Sequence, residues 1–283
     1  MTDPLPPAAL LASFGISALA TAAQWVGETG HARVWKLRGP DGRWAALKDY
    51  TRGDHGNEAA GFDWMATQDE GLVAQIYQRT PSAALIEWLD GPSLGDMSRG
   101  GQDPEACETL AELAGALHKG PQTCSSRMPH LSSWLDDLFA LTFAPDCPSS
   151  LRADVKAAQA LARDLLRTSP EPRALHGDLH HDNVIMTKTG ARAFDAKGVW
   201  GEPAYELANA FRNPKGMGDR LRDEARIMKL ADLAAAKLHA PKDRILDWAA
   251  AKSALSIAWC CGGTLSQSGE AALLTRLLEA RVR

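Results

Sequence analysis

One stretch constrains this chain more than any other: His176-Gly177-Asp178-Leu179-His180-His181-Asp182-Asn183, with a further Asp at 195. Asn183 follows Asp178 by five residues, and Asp195 follows Asn183 by twelve. The first interval fits a tight loop. Val184-Ile185-Met186 and Arg192-Ala193-Phe194 lie either side of Thr187-Lys188-Thr189-Gly190, so the second interval reads as a short hairpin. Such a hairpin brings Asp195 back beside Asn183.

The cluster suits phosphoryl transfer. In a kinase one Asp takes the proton of the attacking hydroxyl, while an Asn and a second Asp hold Mg²⁺ on the ATP phosphates. The competing reading is a metallohydrolase, because His176 and His180 stand four apart beside His181 and Asp182. Such sites draw further His from later strands. The chain has eight His, and after His181 only His239 remains, inside a helical pattern. Asp195 has no role in the hydrolase.

A kinase also needs a strand Lys on the phosphates and a helix Glu to position it, both upstream in a sheet-rich lobe. Residues 33–37 and 44–48 are strand-like runs around the turn Gly39-Pro40-Asp41-Gly42. Lys48 closes the second run. Glu58 lies ten residues on, in a helical stretch over 54–68 with Ala59, Phe62 and Met65 or Trp64 on one face. Each alone reads as a solvated charge; their order ahead of the catalytic loop carries the assignment. Gly27-Glu28-Thr29-Gly30-His31-Ala32 precedes Lys48. Its glycines let backbone N–H groups approach phosphate oxygens, which makes Gly30 and His31 candidates, although there is no GxGxxG. Residues 83–89 form an apolar strand ended by Asp90-Gly91-Pro92, where Glu87, Trp88 and Leu89 offer backbone groups to adenine.

Together these residues resemble the aminoglycoside phosphotransferase superfamily, and within it the streptomycin 6-kinase and hydroxyurea kinase branch. HGDLHHDNVIM, from His176 to Met186, is similar to the branch's catalytic loop. FDAKGVWGEPAYELANAFRNP, from Phe194 to Pro214, is similar to its metal-Asp segment. Ala196 stands where the branch commonly has Pro, which loosens that loop but removes no ligand. The resemblance implies an α+β, protein-kinase-like bilobal fold: a small antiparallel-sheet N-lobe with one helix and a larger, mainly helical C-lobe. It implies Asp178 as catalytic base, Asn183 and Asp195 on Mg²⁺, and Lys48 with Glu58 anchoring ATP. It points to an aminoglycoside acceptor, streptomycin first. A metabolic kinase for another small alcohol or sugar is the alternative within the fold. A catalytically silent nucleotide-binding regulator is the alternative outside it, disfavoured by intact Asp178, Asn183 and Asp195.

A cationic acceptor asks for carboxylates, and Asp136, Asp137, Asp182, Glu202 and Glu206 are the candidates. A protein substrate is not expected, because the six residues between Asp195 and Glu202 leave no room for a peptide-docking loop. A net charge of −4 and the lack of a Lys/Arg run argue against nucleic acid. Five Cys without framework spacing read as free thiols in a reducing cytoplasm. The apolar stretch 10–23 has no basic residue before Arg33 and is too short to span a membrane, so it reads as a buried helix or strand pair. At 283 residues the chain holds one large or two modest domains, read as lobes over 1–89 and 90–283. Helices are expected near 104–118, 131–141, 153–166, 205–211, 219–238, 242–261 and 269–282.

Overall fold

Five strands make one antiparallel sheet in the spatial order β1-β2-β3-β5-β4: β1 (Gln24–Glu28), β2 (Ala32–Arg38), β3 (Trp44–Tyr50), β4 (Ile76–Thr80) and β5 (Ala83–Glu87). The computed structural model describes residues 3–18, 22–120, 123 and 125–281. The period of two along the strands divides the sheet's faces. Leu37, Ala45, Leu47 and Leu85 are buried on the outer face against Leu11, Phe14 and Ile16. Val34, Ala46, Lys48 and Ile86 line a cleft on the other. Helix α1 (Ala8–Ser13) supplies Leu11, so the apolar N-terminal stretch begins as a helix and not as a strand pair; residues 19–21 lie outside the described residues. The expected helix over 54–68 is shorter, a 3₁₀ turn at Gly56–Glu58 followed by α2 (Ala59–Met65).

After β5 the chain is mainly helical: α3 (Leu94–Met97), α4 (Asp103–Leu117), α5 (Leu131–Trp134), α6 (Asp136–Phe139), α7 (Ser149–Arg167), α8 (Gly218–Leu221), α9 (Glu224–Leu238), α10 (Lys242–Cys261) and α11 (Ala271–Ala280). Three short strand pairs join them: β6 (Thr142–Phe143) with β11 (Thr264–Leu265), β7 (Arg173–Leu175) with β10 (Val199–Gly201), and β8 (Val184–Thr187) with β9 (Gly190–Ala193). Helix α10 fills its expected span and is buried on nearly every side, from Ile245 to Ala258, against α7, α9 and α11. The expected helix over 219–238 breaks where the Asp223 side chain accepts from Ala225 N at 2.8 Å and caps α9. The expected helix over 205–211 is instead two 3₁₀ turns, Pro203–Tyr205 and Ala208–Arg212. No helix among the described residues is long and apolar enough to cross a membrane. Cys107, Cys147, Cys260 and Cys261 are free thiols, and Cys124 lies outside the described residues.

Two glycines bring the lobes' backbones together at the site. A Cβ on Gly61 in α2 would lie 1.7 Å from the Ala196 carbonyl oxygen. A Cβ on Gly198, at φ +67°, would lie 2.5 Å from the Ala60 carbonyl. Only residues without side chains let α2 rest directly on the segment after Asp195.

Candidate active site

Lys48 projects from β3 into the cleft. Its Nζ lies 2.6 Å from Glu58 Oε2 and 2.7 Å from Asp195 Oδ1. The strand Lys, the helix Glu and the hairpin Asp, separated by up to 147 positions in sequence, therefore meet in space. Sequence reasoning missed two further members. Tyr50 donates its hydroxyl to Glu58 Oε2 at 2.6 Å, and Lys197 Nζ lies 3.1 Å from Glu58 Oε1 and 3.5 Å from Asp195 Oδ2. Burial alone would lower the Lys48 pKa, but the Asp195 and Glu58 carboxylates outweigh it and hold the ammonium above its ordinary range. Burial would raise Asp195, and Lys48 with Lys197 reverses that and keeps it ionised.

The loop before the hairpin is braced from inside. His176 donates from Nε2 to the Phe194 carbonyl at 3.0 Å and accepts the Asp178 N–H on Nδ1 at 3.2 Å. Both ring nitrogens are thus occupied, and burial keeps the ring neutral. Asn183 Nδ2 donates to the Asp178 carbonyl at 3.0 Å, which turns its Oδ1 away from that contact. Phe194 N donates to the Asn183 carbonyl at 3.0 Å, so the hairpin holds Asn183 beside the strand leading to Asp195. Asp195 sits in the left-handed region at φ 63°, an uncommon conformation for a residue with a side chain. Asp178 Oδ1 accepts from Asn209 Nδ2 at 2.6 Å, and Arg212 Nη1 fixes that amide by donating to its Oδ1 at 3.1 Å. Neither Asn209 nor Arg212 stood out in the sequence; both lie in a 3₁₀ turn whose apolar spacing reads as an ordinary helix and marks neither of them.

The cleft has a volume of about 340 Å³ and is bounded by Val26, Ile86, Trp88, Leu89, Lys48 and Asp195. At the strand end the proposed adenine contacts divide. Glu87 N donates to the Gln75 carbonyl at 2.8 Å and Trp88 N to the Trp44 carbonyl at 3.1 Å, so both N–H groups are spent within the sheet. The Leu89 N–H has no such partner among the described residues. The Glu87 carboxylate pairs with both Nη atoms of Arg192 at 2.6 Å. At the turn after β1, the Thr29 hydroxyl accepts from Ala32 N at 3.0 Å and His31 N at 3.4 Å, which leaves the Gly30 N–H uncommitted.

Two acidic acceptor candidates are corrected by the structure. Glu206 is 1% exposed and accepts from His176 N, Gly177 N and His118 Nε2, each at 3.1 Å. Burial would raise its pKa; the His118 contact and the backbone N–H groups hold it below the ordinary value. Glu202 is 2% exposed and paired with Arg244, whose Nη2 lies 2.7 Å from its Oε2. Both carboxylates are buried and committed to partners within the chain. Asp182 is tied to Arg99 Nη1 at 2.8 Å and to Lys215 N at 3.2 Å. Asp136 is exposed on α6, and Asp137 accepts from Trp259 Nε1 at 2.9 Å.

A five-stranded antiparallel sheet over a helical lobe, with Lys48, Glu58 and Asp195 meeting at their junction, is the architecture of the protein-kinase-like class. Solved structures share the fold. A choline/ethanolamine kinase family protein from Mesorhizobium loti superposes with a TM-score of 0.65 at 14% identity, covering 96% of this chain and 91% of that one. The aminoglycoside phosphotransferase APH(4)-Ia, in ternary complex with ADP and hygromycin B, gives 0.63 at 14% identity, with 96% of both chains covered. Residues 19–263 match the model of the aminoglycoside/hydroxyurea antibiotic resistance kinases, and the chain belongs to that family. It is 31% identical over 212 residues to a streptomycin 3''-kinase of Klebsiella pneumoniae, spanning 73% of this chain and 77% of the relative. It is 26% identical over 203 residues to a streptomycin 6-kinase of Streptomyces griseus, spanning 67% and 62%.

Proposed function

We propose that this chain transfers the γ-phosphate of ATP, with Mg²⁺, to a hydroxyl of a small molecule, and that an aminoglycoside, streptomycin first, is the acceptor. The observation that carries this reading is the junction of Lys48, Glu58 and Asp195 beside a loop that holds Asp178 and Asn183. Residues 1–89 would then form the nucleotide-binding lobe and 90–283 the catalytic and acceptor-binding lobe.

Lys48 takes the phosphates, kept charged and aimed by Glu58, which Tyr50 steadies in turn. The Leu89 N–H is the free donor for adenine. Asp178, held by Asn209, takes the acceptor's proton as that oxygen bonds to the γ-phosphorus. The bond from phosphorus to the β–γ bridging oxygen breaks, and ADP leaves. The ionised Asp195 carboxylate and the Asn183 amide are hard oxygen donors of the kind Mg²⁺ takes alongside phosphate and water. Mg²⁺ would supply neutralisation of phosphate charge there. The family match and the two streptomycin kinases support the acceptor class. One observation favours the second reading, a kinase for an uncharged alcohol: the Glu202 and Glu206 carboxylates are buried and already paired within the chain. An ADP-release screen over aminoglycosides, sugars, amino alcohols and hydroxyurea separates the two. ADP release with streptomycin but not with glucose is expected, and the reverse result overturns the aminoglycoside assignment.

A further inference from the structure

Lys252 lies in the middle of α10 and is only 4% exposed. A buried ammonium is costly unless a carboxylate pairs with it. Lys252 makes no ion pair or hydrogen bond among the described residues; its Nζ lies 4.2 Å from the centroid of the Trp259 ring. The carboxylate acting most strongly on it is Asp178. The other carboxylate acting on it, Glu270, is already paired with Arg212. A buried cation with no ion pair among the described residues, within the electrostatic reach of Asp178, has no evident structural use.

Its surroundings have the form of a binding site. Trp259 is 45% exposed, and Asp137 fixes its indole N–H. Trp134 stands 6.3 Å from Trp259, at 70° between the ring planes. Trp134 also lies against Gly177, where an added Cβ would come within 3.1 Å of the ring. Trp134, with Trp259 at its edge, therefore stands beside the loop that carries Asp178.

We propose that Lys252 is an acceptor-binding residue, set against the Trp259 ring to donate a hydrogen bond to an acceptor oxygen neighbouring the hydroxyl that Asp178 deprotonates. Trp134 and Trp259 offer their edges and faces to the ring that carries those oxygens. The class selected is a polyhydroxylated ring with oxygen, not an ammonium, beside the reacting position. A cationic acceptor must hold its charges away from this point, because a like charge next to Lys252 is repelled at short range. This inference rests on the kinase reading and specifies the acceptor side of the same site. Burial pulls the ammonium down to about 8, with Asp178, Glu270 and Cys260 opposing and Arg212 adding to the fall. The donor therefore loses its charge as pH rises past about 8.

The test compares wild type, Lys252→Met and Lys252→Arg with ATP and three acceptors: streptomycin, glucose and choline. For whichever ring acceptor the wild type uses, Lys252→Met should lose roughly 10- to 100-fold in kcat/KM, the worth of a hydrogen bond from a charged donor. The loss should fall on the acceptor KM with the ATP KM unchanged. Wild-type kcat/KM should drop above about pH 8, the drop should be absent in Lys252→Met, and Lys252→Arg should recover part of the affinity. Thermal melting of each variant checks folding. Turnover of glucose with the expected Lys252 dependence, but none of streptomycin, removes the streptomycin assignment and leaves this inference standing. Turnover of streptomycin with equal kcat/KM in wild type and Lys252→Met removes the inference alone. Choline as the preferred acceptor also overturns it, and no turnover of any of the three overturns both.

Discussion

Asp178 has one carboxylate oxygen fixed by Asn209, its own N–H held by His176, and its carbonyl tied to Asn183. A base held by three residues loses little orientation on substitution, so Asp178→Asn isolates the proton transfer. Turnover should fall roughly 10²- to 10⁴-fold with nucleotide affinity close to wild type. Near-normal kcat with an identified acceptor would remove Asp178 from the role. Asp195 is the only carboxylate facing both Lys48 and Lys197 apart from Glu58 among the described residues. Asp195→Ala should raise the Mg²⁺ concentration needed for half-maximal activity, and Asn183→Ala should do so less, since it removes no charge. An unchanged Mg²⁺ titration in Asp195→Ala would contradict the metal role. Glu206 makes a different prediction. Its folded pKa is depressed, so its contribution to stability is fully present above the ordinary value of 4.5 and is lost as pH falls through the folded pKa. Glu206→Gln should lose about 1.5–3 kcal/mol near neutrality, with all activities falling together, and its stability should decline less steeply below pH 4.5. A rise in acceptor KM alone, at wild-type stability, would restore Glu206 to the acceptor pocket.

At the scale of elements, the site depends on α2 lying close against the segment after Asp195. Gly61→Ala would push a methyl group into the Ala196 carbonyl, and the backbone must yield because that oxygen belongs to no flexible side chain. We expect about 1–3 kcal/mol of destabilisation, the usual cost of overpacking. A larger fractional loss in ATP use than in folded protein should accompany it, since Glu58 rides on the turn leading into α2. Equal melting temperatures and equal ATP KM would show that the close approach is dispensable. Much at this scale was legible in the sequence. The β8–β9 hairpin and α10 occupy their expected places because alternation, turn chemistry and an uninterrupted apolar helix all agree there. The tight contacts at Gly61 and Gly198 were not legible, because they join elements far apart in sequence. Residues 205–211 read as a helix because Ala204, Leu207, Ala208 and Phe211 mimic helical spacing, although these four buried residues lie in or between two 3₁₀ turns.

Across the whole molecule, the lobes are tied on the hinge side. Ala74 N donates to the Ala193 carbonyl at 2.9 Å and Ala193 N to the Leu72 carbonyl at 2.8 Å, while Arg192 bridges to Glu87. Trp64 Nε1 reaches the Ala174 carbonyl at 3.3 Å. These ties fix the β8–β9 hairpin against the sheet that carries Lys48. That Lys48, Glu58 and Asp195 would meet was legible because kinase chemistry demands particular side chains in a fixed order. Lys197, Asn209, Arg212 and Lys252 were not, since a lone polar residue gives no sign in sequence of which cavity it will enter. The central claim is phosphate transfer from ATP to a small-molecule hydroxyl through Asp178. The most direct measurement is mass spectrometry of streptomycin incubated with Mg²⁺-ATP and either wild type or Asp178→Asn. The account predicts a product heavier by one phosphate with wild type and almost none with the variant. Phosphate adducts formed equally by both proteins, or none with wild type on streptomycin or on any alcohol of the screen, would contradict it.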